Sequence, residues 1–122
     1  SEPVMAPLPT GSSCVDDSKR CVDERSLALK ALMADKDKRW LREPSTPAAH
    51  ASGVRLFAMQ QRKRELTCEE LALAKREADR APAELRGPGG AGLAPGQVSR
   101  GVILAGEVGR ELMGEMKRRC RV

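Results

Sequence analysis

The sequence predicts an all-α fold: a small disulfide-stapled bundle of about four helices, with a flexible N-terminal arm and a Gly/Pro-rich linker before the last helix. Three observations carry this. Residues that pleated sheets favour are scarce, with one Phe (Phe57), one Trp (Trp40), one Ile (Ile103) and no Tyr. Ala, Leu, Arg, Lys and Glu, all strong helix formers, dominate instead. The four cysteines, at 14, 21, 68 and 120, fall where helices begin or end. A length of 122 residues suits a single domain with its own core. We assign 14–122 to that domain and 1–13, with its three prolines and no apolar periodicity, to the arm.

The first helix is expected from about Asp17 or Ser18 to about Leu41. Val22, Leu29, Leu32, Met33 and Trp40 recur at helical spacing, with Leu27 and Leu41 beside them. Asp16, Asp17, Asp23 and Glu24 crowd its start, where carboxylates offset the positive end of the helix dipole. Glu43-Pro44 stops it, because a residue before proline is pushed out of the α region. Thr46 as N-cap and Pro47 at the first helical position open a second helix to about Leu66, with His50, Val54, Phe57, Ala58 and Gln61 inward. Thr67-Cys68-Glu69-Glu70 is a capping box for a third helix. That helix runs to about Arg80, with Leu71, Ala74 and Ala78 inward and Pro82 just past its end. Residues 82–96, with Gly87-Pro88-Gly89-Gly90 and Pro95-Gly96, read as a long flexible connection. The last helix runs from about Gly96 to Cys120, burying Val98, Val102, Ala105, Leu112 and Met116, with Val108 and Met113 at its edges.

If the last two helices are antiparallel, Cys68 and Cys120 lie side by side at the start of one and the end of the other. Cys14 and Cys21 then form the remaining pair, provided Cys14 precedes the helix. Seven residues of helix rise about 10.5 Å, whereas bonded Cα atoms sit about 4.4–6.8 Å apart. Four cysteines allow two other pairings, which join Cys14 or Cys21 to Cys68 or Cys120. The cysteines are expected to be structural, without a redox role. Their spacings of 7, 47 and 52 lack the close pairs of tetrahedral zinc sites, so no metal is expected.

No cofactor motif or catalytic constellation is visible. His50, the only histidine, has no nucleophile placed beside it, and Gly87 to Gly92 follows no strand. The chain therefore reads as non-catalytic. A net charge of +5 permits anionic partners. Two basic clusters are candidates for binding an anion or a partner: Arg62, Lys63 and Arg64, and Lys117, Arg118 and Arg119. The shortage of aromatic residues argues against nucleic acid. Gly101, Ala105 and Gly109, four residues apart, suit close helix packing, within the bundle or across a homodimer or partner helix. The longest apolar run, Val102 to Ala105, falls far short of the roughly 20 residues a membrane span needs.

An even cysteine count points to an oxidising compartment, periplasmic or secreted. Ser1-Glu2-Pro3 is how a chain with its signal peptide removed would start. The absence of Asn and abundance of Ala, Arg and Gly are expected of a high-GC bacterial source. The expectation is thus a small exported protein of the bacterial envelope that acts by binding a protein partner or as an accessory or stress factor. The alternative is a cytosolic nucleic-acid or regulatory binder using the basic clusters. Thr67-Cys68-Glu69-Glu70-Leu71, with a second cysteine about 50 residues later, resembles small periplasmic acid-stress chaperones. The resemblance implies a helical fold with one disulfide over a similar span. The extra Cys14/Cys21 pair and the Gly-Pro linker depart from it, and no functional residue carries across.

Overall fold

The computed structural model describes residues 13–121, so the arm assigned to 1–13 lies, but for Ser13, outside the described residues. Among the described residues there are five helices: α1 (Lys19–Ala34), α2 (Pro47–Ser52), α3 (Val54–Gln61), α4 (Cys68–Arg86) and α5 (Pro95–Arg119). Short 3-10 turns lie at Arg39–Arg42, Lys63–Glu65 and Pro88–Gly90. No strand occurs among the described residues, and no helix there is long and apolar enough to cross a membrane.

Helix starts follow the caps. The Ser18 hydroxyl accepts from the Cys21 N–H and the Thr46 hydroxyl from the Ala49 N–H. At α4 the box closes in both directions, Thr67 Oγ1 accepting from Glu70 N–H and Glu70 Oε1 from Thr67 N–H. Helix ends depart from expectation. α1 stops at Ala34, because Asp35 is extended and its carboxylate accepts from the Asp37 and Arg39 N–H groups. Trp40 and Leu41 reach the core from the 3-10 turn that follows. The expected second helix is two, broken at Gly53, whose φ of +80° suits glycine. The break turns α3 so that Arg55, Leu56 and Met59 face inward while Phe57 and Gln61 face out. α4 continues through Pro82 to Arg86, held there by Leu85, which is buried, and by Glu84, which reaches α2. The expected connection 82–96 therefore shrinks to 87–94, and its 3-10 turn packs on the bundle: Gly89 lies against Pro47 and Gly90 against the Leu85 carbonyl.

The core is built from small and aliphatic residues: Ala28 and Leu32 of α1, Leu56, Ala58 and Met59 of α3, Leu71, Ala74, Ala78 and Ala81 of α4, and Ala105, Val108 and Leu112 of α5, closed by Trp40. Val22 and Leu27, expected on or beside the inner face of α1, are exposed, since Cys21, Ala28 and Leu32 take the inward positions. On α5, Val108 is central, not at the edge.

Disulfides join Cys14 to Cys21 and Cys68 to Cys120, with Cα atoms 5.5 and 5.8 Å apart. The second ties the first residue of α4 to the residue after α5, fixing the two longest helices as an antiparallel pair.

Candidate functional site

The two basic clusters named from the sequence converge at one end of the bundle, but most of their charge is used within it. Arg62 is buried, and its guanidinium donates to the Leu32 and Asp35 carbonyls, both at 2.7 Å. It thereby satisfies carbonyls that the end of α1 would otherwise leave without partners. Its Nε donates to Glu65 at 3.0 Å. Lys63 pairs with Glu111 at 2.8 Å, and Gln60 donates to the same carboxylate. Arg118 and Arg119 converge on Glu115, Arg119 at 2.7 Å. Arg119 also donates to the Lys63 and Leu66 carbonyls, at 2.8 and 2.9 Å, clipping α5 to the turn before α4.

These pairings act on the acids. The hydrogen bonds from Lys63 and then Gln60 hold the Glu111 carboxyl below its ordinary 4.5. Glu115 is likewise held below 4.5, chiefly by the Arg119 hydrogen bond and by the positive charges of Arg118 and Arg119. Arg64 and Lys117 remain exposed and make no ion pair among the described residues.

The small residues of α5 divide by face. Gly101 is filled by its surroundings: a Cβ there would come within 2.7 Å of Leu85 Cδ1 and 3.3 Å of Ala51 Cα. Ala105 is buried, and Gly109 faces Ala78 and Asp79 of α4. The packing expected of Gly101, Ala105 and Gly109 is thus made inside the bundle. Gly106 and Gly114 lie further round α5, on the open side of the groove that Ala105 and Gly109 also line. A Cβ on Gly114 would meet nothing within 4 Å, and one on Gly106 only the end of Arg110. Together with Ala78, Pro82 and Met113 they form an open groove of about 520 Å³ between α4 and α5. Lys75, Arg110 and Lys117 line its edges; Lys75 pairs with Asp79 at 2.6 Å, whereas Arg110 and Lys117 pair with no acid among the described residues.

Sequence reasoning missed a buried charge network on the far side of α4. Arg55, 2% exposed, donates from Nε and Nη2 to the two carboxylate oxygens of Glu77, at 2.8 and 2.5 Å, and from Nη2 to the Glu43 carbonyl at 3.1 Å. Its guanidinium carbon lies 5.6 Å from the Trp40 ring centre. His50, 1% exposed, meets Glu84 through Nε2 at 2.7 Å, and its Nδ1 lies 4.0 Å from Glu77. Glu77 falls in register with Leu71, Ala74, Ala78, Ala81 and Leu85, which was the available signal that this carboxylate points inward. The imidazole is enclosed, and the arrangement fixes α2 and α3 against α4.

Cys14, Asp16 and Cys21 are the one grouping of metal-type donors among the described residues, their ligand atoms within 4.8 Å of one another. Both sulfurs are held in the disulfide, and the Arg25 guanidinium lies 3.2 Å from Cys21 Sγ, where it would repel a cation. Comparison of the chain with protein-family models, with curated proteins and with solved structures finds no match.

Proposed function

We propose that this is a small exported, non-catalytic binding protein of the bacterial envelope, and that its binding face is the groove between α4 and α5. The observation that carries the reading is the pair Gly106 and Gly114. Glycine inside a helix costs about 1 kcal/mol relative to Ala. Close packing offsets that cost at Gly101, but nothing within the bundle offsets it at these two positions. A second backbone lying close in the groove would. Met113 supplies an adaptable apolar floor, and the unpaired Arg110 and Lys117 favour an acidic partner. The partner of best fit is an amphipathic helix with small or apolar residues on one face and carboxylates flanking them. Two disulfides support an oxidising compartment. The nucleic-acid alternative is weakened by the internal pairing of Arg62, Lys63, Arg118 and Arg119.

The test is an NMR titration of the oxidised chain with a designed amphipathic helix bearing Glu beside its apolar face, and with the same helix bearing Lys. Shifts at Ala78, Gly106 and Gly114 with the Glu peptide, lost in Gly114→Trp, are expected. Equal responses to both peptides, or none to either, would overturn the groove. Non-reducing mass measurement of native material showing four free thiols would overturn the export reading.

A further inference from the structure

We infer that the Cys14–Cys21 disulfide is a thiol–disulfide exchange site that accepts a cysteine thiolate carried on an apolar peptide. This departs from a purely structural role for that pair and is independent of the α4–α5 groove, with which it shares no residue.

The two sulfurs differ in the way such an exchange requires. Cys14 is part-exposed and open to attack, whereas Cys21 is 0% exposed. Cys21 sits in the first turn of the 16-residue α1, where unpaired N–H groups favour negative charge. Arg25 Nη1 lies 3.2 Å from its Sγ. Burial of Cys21 opposes a thiolate there, and the Arg25 charge with the helix start favours one; a sulfur so favoured is the better leaving group, which speeds exchange. Arg25 also donates to the Cys14 and Asp16 carbonyls at 2.9 and 2.7 Å, so the 14–16 segment stays anchored when the bond opens. Asp16 opposes the effect: its carboxylate is within 4.8 Å of both sulfurs, and Ser18 hydrogen bonds keep it ionised. The nearby Asp17 is balanced by Arg100 at 3.8 Å. At the other disulfide Cys68 also opens a helix, and Cys120 has arginines beside it in sequence. Among the described residues, however, the contact of Cys68 Sγ is the Arg119 carbonyl at 3.7 Å, with no guanidinium against either sulfur, and Glu69 and Glu70 follow Cys68.

The substrate class comes from the adjoining recess. Arg25 and Arg100, which grip the 14–17 segment, also line a cavity of about 380 Å³ with Phe57, Ile103 and Leu104. Phe57 and Ile103 are 41% and 69% exposed there. Apolar side chains beside the incoming cysteine would cover them. The incoming thiolate bonds to Cys14 Sγ, the Cys14–Cys21 bond breaks, and its electron pair leaves on Cys21. A second thiolate of the same dithiol substrate then attacks the substrate sulfur of the mixed disulfide and releases the Cys14 thiolate. The substrate is oxidised to a disulfide, the protein is reduced by two electrons, and the protons released by the substrate thiols pass to solvent or to the new thiolates.

The test exposes the oxidised chain to glutathione and to a cysteine peptide carrying Leu and Phe, with acid quench, alkylation and peptide mass mapping. Expected is opening of Cys14–Cys21 at least tenfold faster than Cys68–Cys120, with the adduct on Cys14. Arg25→Gln should slow that opening about tenfold and leave the Cys68–Cys120 rate unchanged, while Arg25→Lys restores most of it. Phe57→Ser should slow the apolar peptide but not glutathione. Equal opening of both bonds, adducts on Cys21, or an Arg25→Gln variant that opens as fast as or faster than the parent would overturn the exchange site. Equal effects of Phe57→Ser on both thiols would overturn the peptide recess.

Discussion

Removing a guanidinium and a carboxylate from water costs several kcal/mol each, which is recovered only where the two meet in good geometry. Arg55 and Glu77 meet in this way, through two parallel hydrogen bonds from one guanidinium to one carboxylate. Neither can be removed alone without leaving a buried charge behind. Glu77→Leu and Arg55→Met are each expected to lose about 3–5 kcal/mol. The double variant Arg55→Met with Glu77→Leu should lose far less than the sum, because no orphaned charge remains. Urea unfolding of the four proteins measures the coupling directly, and additive losses would show that the pair is not a unit. Arg62 illustrates a different use of the same side chain. One guanidinium there serves three acceptors, Nη1 the Leu32 and Asp35 carbonyls and Nε the Glu65 carboxylate, from donors fixed in one plane.

At the scale of helices, α5 contains its own control experiment. Gly→Ala in a helix normally stabilises by about 1 kcal/mol. At Gly114, where a new Cβ meets nothing, Gly114→Ala should show that gain. At Gly101 the Cβ would press on Leu85 and on the α2 backbone, so Gly101→Ala should instead cost about 1–3 kcal/mol. Thermal unfolding of the two variants decides it: the same sign in both would mean that the closeness at Gly101 is not sterically demanding. Helix starts were legible in the sequence because caps are local chemistry, as at Ser18, Thr46 and Thr67. Helix ends were not. The break at Gly53 and the continuation through Pro82 depend on distant anchors such as Leu85 and the Glu84–His50 contact, which no local pattern contains. The candidate site was legible in the same uneven way. The basic residues were visible, and Glu115 lies only three and four residues before Arg118 and Arg119. Glu111, however, is 48 residues from Lys63, and the carbonyls Arg119 reaches are 56 and 53 residues from it. The groove depends on which glycines face outward, and that follows from how α5 is rotated against α4.

For the molecule as a whole, the meeting of α5 with the turn before α4 is secured twice, once by the Cys68–Cys120 bond and once by charge. Arg119 bridges Glu115 to the Lys63 and Leu66 carbonyls, and Lys63 reaches across to Glu111. Both carboxyls are held below 4.5 in the folded chain, so near pH 4 the unfolded chain binds more protons than the folded one. Their contribution is therefore complete above the ordinary carboxylate value and is lost as pH falls through the lowered folded values. The urea midpoint should stay flat from neutral pH to about pH 5 and drop below that. Glu115→Gln should be less stable at neutral pH and show a shallower acid decline, since the group whose protonation matters is gone. Because linkage sets the acid slope by the difference in bound protons, Cys120→Ser should lower the midpoint at every pH and leave the shape of the acid decline much as in the parent. Midpoints measured across that range for the parent and both variants test the linkage. Parallel pH curves for the parent and Glu115→Gln would show that the junction is not where acid sensitivity resides.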